Sequence, residues 1–212
     1  MSLKCSPVHP FKGTVRCNTN WAGFNIPRDL FRRNRRFPVY HPRLRCNTRI
    51  RMKIGVISDT HDRLPTFRRA VALFMRLKVE AVLHAGDYIA PFAAKLIAPG
   101  TLTAPVYCIY GNNDGERKGL KQVLPNLVDG PLYIQLNGKK IVMHHFIDWL
   151  KPIDYADADI VVTGHSHHVV NEAKDGKLFV NPGECCGWVT NRCTVAVVDL
   201  EQVEAQIIEI HD

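Results

Sequence analysis

The chain has 212 residues, 46% of them hydrophobic, and a formal net charge of +8. That length fits one domain with an appendage, and no run approaches the roughly 18 apolar residues that a membrane-spanning helix needs. The charge would point to nucleic acid, but its distribution argues otherwise. Residues 1–51 hold 12 of the 28 Lys and Arg and one acid, Asp29, whereas residues 52–212 hold 16 against 19 Asp and Glu, a net −3.

Residues 1–51 read as a basic N-terminal extension, either disordered or lying upstream of a natural start. The stretch "FRRNRRFPVYHPRLRCNTRIR" (31–51) is Arg-dense, contains Pro38 and Pro42, and follows neither helical nor strand periodicity. Met52 then opens "MKIGVISDTHD", an ordinary beginning for a first strand. A targeting leader and a basic arm on phosphate backbones are the alternatives. Abundant Pro and Asn, and the lack of an amphipathic helix, speak against the leader. The seven cysteines are odd in number and form no CxxC pair. They suggest a reducing, cytoplasmic setting rather than a disulfide framework.

From Met52 the chain alternates strand and helix. "KIGVIS" (53–58) is a short apolar run suited to a buried strand. "LPTFRRAVALFMRL" (64–77) places Phe67, Val71, Phe74 and Leu77 at helical spacing, with Pro65 near its start. "EAVLHAG" (80–86) is the next strand, "APFAAKLIA" (90–98) the next helix and "APVYCIYG" (104–111) a third strand. After a short polar helix, "LYIQLNGKKIVMHH" (132–145) reads as a hairpin turning at Asn137-Gly138. "ADIVVTG" (158–164), "KLFVNPG" (177–183) and "TVAVVDL…AQIIEI" (194–210) supply further strands. Strands separated by helices imply an α/β layered fold with a partly parallel sheet, and in such sheets sites gather beyond the carboxyl ends of strands.

Those ends carry the chemistry. The first strand ends in "SDTHD" with Asp59 and His61, and the second in "HAGD" with Asp87. The third ends in "YGNND" with Asn112 and Asp114, and the hairpin in His144 and His145. The next ends in "GHSHH" with His165, His167 and His168. A single D-x-H is more often a cap or loop than a ligand, and an Asp after Gly is usually a turn residue. Five consecutive strand ends of this kind can instead converge on one rim. Nitrogen and oxygen donors without a thiolate suit Mn, Fe, Ni or Zn. They are too many for one tetrahedral ion and suit two ions sharing a carboxylate.

In this order and spacing, D-x-H, G-D, G-N, a lone His and G-H-x-H resemble the calcineurin-like metallophosphoesterases. "ISDTHD", "AGD", "YGNNDGE", "GHSH" and "NPGECCG" are especially similar to small archaeal and bacterial phosphodiesterases of the YfcE/MJ0936 type. The resemblance covers residues 52 to about 210 and implies a four-layer αββα sandwich, two central mixed β-sheets flanked by helices. It implies that Asp59, His61, Asp87 and His167 hold one ion, and that Asp87 bridges to a second ion completed by Asn112, His145 and His165. Catalysis would centre on Asp87, Asn112 and His165. Two divalent ions, Mn2+ first and Ni2+, Fe2+ or Zn2+ as alternatives, would share a hydroxide that attacks a small phosphodiester.

Asn113 stands where many relatives have a His thought to protonate the leaving group. An amide is no useful general acid, so turnover should be slow and biased toward good leaving groups; His168 or His84 are the candidate substitutes. Relatives show His-Gly where this chain has His144-His145-Phe146, which leaves two registers open. The spacing from the hairpin turn that relatives show implies His145 as ligand, and strand alternation then faces His144 away. Asp62 reads as a partner of a ligand His, and Cys185-Cys186 as packing rather than metal or redox chemistry. Trp149 and Phe146 fit a substrate pocket and core packing equally well. An interaction scaffold of the same fold, like the retromer subunit, is the alternative function, although every ligand position here is filled. A nuclease using the basic segment is disfavoured, as is a membrane partner, and a homo-oligomer is left open.

Overall fold

The computed structural model describes residues 51–211. The expectation for the basic segment therefore lies, except for Arg51, outside the described residues. Among the described residues ten strands form two mixed sheets. The first has the order β10-β9-β1-β2-β3, built from β1 (Lys53–Ile57), β2 (Ala81–His84), β3 (Val106–Cys108), β9 (Thr194–Asp199) and β10 (Glu204–Glu209). Within it β1, β2 and β3 run parallel, while β9 runs antiparallel to β1 and to β10. The second has the order β4-β5-β6-β8-β7, from β4 (Leu132–Leu136), β5 (Lys139–Met143), β6 (Ile160–Val162), β7 (Val169–Lys174) and β8 (Lys177–Pro182). Here β5, β6 and β8 are parallel, and β4 and β7 are antiparallel edges.

Alternation along the strands sorts residues into layers. Ile54 and Val56 of β1, Leu83 of β2, Ile141 and Met143 of β5, Ile160 and Val162 of β6 and Val198 of β9 form the core between the sheets. The opposite face of the first sheet packs on α1 (Leu64–Leu77), which buries Phe67, Ala70, Val71 and Phe74. Gly55 of β1 lies under the Phe74 ring, where a Cβ would come within 2.8 Å of it, so the close helix-to-sheet approach requires glycine there. Helix α1 keeps the predicted bounds. The segment predicted as a helix over 90–98 is a single turn, α2 (Pro91–Ala94), tightening into a 3-10 turn at Lys95–Ile97. The short polar helix is α3 (Arg117–Val123).

The fourth layer is thin. Over the outer face of the second sheet, Leu150, Tyr155 and Ala158 pack on Val142, Val161 and Phe179, supplied by segments with 3-10 turns at Ile147–Trp149 and Pro152–Tyr155. Among the described residues no helix is long and apolar enough to cross a membrane. The sequence reading passed over β7, whose residues "VVNEAK" are mostly exposed at the sheet edge. Its signal was the Asp175-Gly176 dipeptide, both with positive φ, turning β7 into β8.

Because β1, β2 and β3 are parallel in one sheet and β5, β6 and β8 in the other, six carboxyl ends are available to form a common rim. Hydrogen bonds join the two sets. The His165 N–H donates to Asp59 Oδ2 at 3.1 Å, and His145 Nδ1 bonds to Ala85 O at 2.7 Å.

Candidate metal centre

The loops after β1, β2, β3, β5 and β6 carry Asp59 and His61, Asp87, Asn112, His145, and His165 and His167. The structure brings all seven together. His167 Nε2 lies 3.4 Å from Asp59 Oδ1, and His61 Nε2 lies 3.7 Å from the same oxygen. Asp87 Oδ2 lies between two imidazoles, 3.5 Å from His61 Nε2 and 3.4 Å from His145 Nε2. Asn112 Oδ1 is 3.0 Å from His145 Nε2 and 2.9 Å from His165 Nδ1. Asp59, Asp87 and His145 are buried, whereas Asn112 and His165 are exposed at the mouth.

Holding short polar loops in this arrangement requires unusual backbone. Asp59, His61, Asp87, His165 and His167 have φ of 52°, 36°, 62°, 65° and 61°. Left-handed conformations in residues with a Cβ cost of order 1–3 kcal/mol each and cluster at functional sites. The strain is offset by buried hydrogen bonds. Asp59 N donates to Gly86 O, while Thr60 N and His61 N both donate to Asp87 O. Gly111 of "YGNND" sits so close that a Cβ would fall 2.1 Å from Asp87 Oδ1, which explains glycine at that point of the loop.

These residues fit divalent ions. Asp59 Oδ1 and His61 Nε2 are buried without a hydrogen-bond partner, and an orphaned buried polar atom costs about 1–3 kcal/mol. His145 donates its Nδ1–H to Ala85 O at 2.7 Å, so the neutral ring turns its Nε2 lone pair toward Asn112 Oδ1 and Asp87 Oδ2. His167 likewise donates Nδ1–H to Glu184 Oε2 at 2.8 Å and turns Nε2 toward Asp59. Lone pairs facing oxygens call for a cation between them. The titration tendencies agree in direction. Burial would lower His61 and His145, but the carboxylates of Asp59 and Asp87 outweigh it and raise both. Burial would raise Asp87, but His145 and the two donors of Asn113 hold it well below the usual carboxylate range. Asp59, Asp87 and His145 form one group of close donor atoms, and His61, His167 and Cys186 form another.

The neighbouring residues divide differently from expectation. Asp114, which was placed among the strand-end donors, is buried and accepts backbone N–H groups of Gly111, Asp87, Tyr88 and Ile89. It locks two loops together and does not reach the donor cluster. Asp62 does not support a ligand His; its Oδ1 accepts the Ala90 N–H at the start of α2. His144 points away from the cluster, its Nδ1 bonded to the backbone of Phe146 at 2.8 and 3.0 Å. His84 is fully buried, stacked on Tyr88 at 3.8 Å and bonded to Thr60 and Gly86, so it cannot meet a substrate. Cys185 belongs to the core beneath α1, and Cys186 donates to Glu184 at 3.0 Å while lying beside the two imidazoles.

Two supporting roles are not visible in the sequence. Asn113 donates its backbone N–H to Asp87 Oδ1 at 2.8 Å and its amide to Asp87 Oδ2 at 2.7 Å, clasping that carboxylate. Glu184, in the "NPGE" turn after β8, orients His167 and is itself held by Val189, Thr190 and Cys186. Burial would raise its carboxyl, but these donors bring it to about 2. An acid beside a Gly turn was the only signal for it. Orienting partners of this kind typically contribute 10–100-fold in metal affinity. Glu184→Gln is therefore expected to weaken metal binding by about 10–100-fold in a competition titration against a metal-binding dye. Unchanged affinity would show that His167 is oriented without the charge.

Residues 52–203 match the calcineurin-like phosphoesterase superfamily domain. Phosphodiesterase MJ0936 of Methanocaldococcus jannaschii is 38% identical over 161 residues, which is 72% of this chain and 96% of that protein. A solved structure described as a novel archaeal phosphodiesterase is 35% identical with a TM-score of 0.66, covering 75% of this chain and all of that one. YfcE, a phosphoesterase from E. coli, is 19% identical with a TM-score of 0.56 over 76% of this chain and 100% of its own, a likeness of fold alone.

Proposed function

The chain belongs to the calcineurin-like phosphoesterase superfamily, and from that membership we propose that it is a phosphodiesterase working with two divalent ions, Mn2+ the best suited. The observation that carries this reading is the meeting of five strand-end loops around buried donor atoms that lack partners. Similarity to proteins named phosphodiesterase supports the substrate class.

In this reading Asp59, His61 and His167 would hold one ion and Asn112, His145 and His165 the other, and Asp87 would serve both. When bound, such ions would supply Lewis acidity toward a phosphate ester and would acidify water. The chain's own residues prepare that chemistry. Asn113 fixes both oxygens of Asp87. Ala85 and Glu184 fix the tautomers of His145 and His167. Asn112 and His165, exposed at the mouth, meet the substrate phosphate. The leaving group receives no strong proton donor: Asn113 is occupied with Asp87, and His84 is closed off. His168, exposed beside His167, is the remaining imidazole of that loop, and good leaving groups should react fastest. The odd cysteine count without a CxxC pair supports a reducing, cytoplasmic setting in this reading.

The test is metal removal with add-back. Dialysis against a chelator is expected to abolish hydrolysis of bis(p-nitrophenyl) phosphate, and Mn2+ to restore it with about two ions bound per chain. Full activity in metal-free protein would sink this reading. Robust folding with no hydrolysis of any diester at full metal occupancy would favour the interaction scaffold.

A further inference from the structure

The rim carries an unbroken run of rings that the metal chemistry does not use. Beyond β5, the Phe146 ring lies 4.1 Å from the His165 ring and 5.1 Å from the His145 ring. Trp149, at the end of the 3-10 turn, stacks on Phe146 at 4.5 Å with only 17° between the planes. It keeps 68% of its surface exposed. Indoles are normally mostly buried, and one stacked through a single face while exposed to this degree offers its remaining surface to a ligand. The other described tryptophan, Trp188, differs: the Arg63 guanidinium lies over its ring at 4.7 Å and its N–H donates to His61 O.

Resting on the phosphodiesterase reading, we infer that Phe146 and Trp149 form a base-stacking ledge, so that the substrates are nucleotide phosphodiesters. The ledge begins at His165, one of the two exposed residues facing the phosphate, and extends outward by two ring-to-ring steps of 4.1 and 4.5 Å. Two such steps are of the span by which a ribose sets its base off from the phosphate. The ledge consists of two stacked rings, and Ile147 and Asp148 beside it are exposed; two rings suit a planar base better than the broad patch a protein partner needs. Base-on-aromatic stacking tolerates any base because each has a π-face, so the ledge would select nucleotides over alkyl diesters without selecting a sequence.

The experiment compares two probes carrying the same phosphate, adenosine 5′-monophosphate and ribose 5-phosphate, titrated by calorimetry into the metal-loaded full chain. The parent is expected to bind the nucleotide about tenfold more tightly. Trp149→Ala should bring the two probes within about twofold, and Trp149→Phe should keep most of the preference. A preference that survives Trp149→Ala overturns the ledge. Equal affinities in the parent do so as well, and would leave the rings to a partner protein. An intact preference in a protein that hydrolyses no diester would instead overturn the hydrolytic reading and leave the ledge standing.

Discussion

Asp87→Asn is expected to lower diester hydrolysis by about a thousandfold or more while the fold survives. The substitution preserves shape and removes one charge from a fully buried position. A unit charge about 4 Å from its partner is worth ~4 kcal/mol at the effective dielectric of a partly buried site, about three powers of ten in an equilibrium or a rate. Asp87 is the place where this loss is greatest, because its Oδ2 is the oxygen between the two halves of the site, 3.5 Å from His61 and 3.4 Å from His145. The scaffold around it does not depend on that charge. Asp87 N still donates to Asp114 and its carbonyl still accepts from Thr60 and His61. The Asn113 N–H can still reach an amide oxygen in place of Oδ1. Only the Asn113 amide, now facing an amide nitrogen in place of Oδ2, loses its acceptor, which should cost about 1–3 kcal/mol of stability. Metal analysis, a thermal melt and diester kinetics on one preparation check this. A variant with the parent's metal content and rate would end the two-ion reading.

How far the sequence reached follows from the kind of signal each residue carries. Helix α1 was legible because its apolar positions recur at helical spacing, and the central strands because their apolar runs stop at turn residues. The rim was legible because ligand-type residues ended successive strands. The residues that support the rim were not, because their partners are distant in sequence. Glu184 meets His167 from 17 positions away, and Asn113 meets Asp87 from 26. Asp114 looked like one more donor, and only the fold shows it bound to four backbone N–H groups. Asp62 likewise looked like a partner for a histidine, yet the turn into α2 claims its oxygen. An acid next to a ligand motif has the same appearance whether it serves the metal or the backbone. The helical cover of the second sheet was expected from resemblance, and 3-10 turns supply it instead, since "IDWLKPIDY" is interrupted by Pro152 and lacks a helical stripe.

Removing His145 and removing His144 should have opposite consequences for bound metal. The chain was expected to face only one of the pair toward the site, and the structure shows why adjacent residues part company. His145 leaves β5 toward the first sheet, donates to Ala85 O and brings Nε2 to Asp87 and Asn112. His144 leaves on the other side, where its ring packs near Trp149 at 5.9 Å and covers Gly130, and its Nδ1 bonds to the backbone at Phe146. The residue after them does not need glycine: Phe146 sits at φ −101° and ψ 126°, ordinary extended backbone. Both imidazoles are nearly buried, 2% exposed for His145 and 8% for His144, so either alanine should cost stability through a small cavity and a lost hydrogen bond, about 1–3 kcal/mol. Stability therefore cannot separate them, but metal content can. On the two-ion proposal, His145→Ala is expected to lose about one ion of two, with diester hydrolysis falling by about 10²-fold or more. His144→Ala should keep both ions, and its altered turn should show in the fluorescence of the neighbouring Trp149. Loss of an ion from His144→Ala with full occupancy in His145→Ala would reverse the assignment and move the second half of the site to the other face of β5.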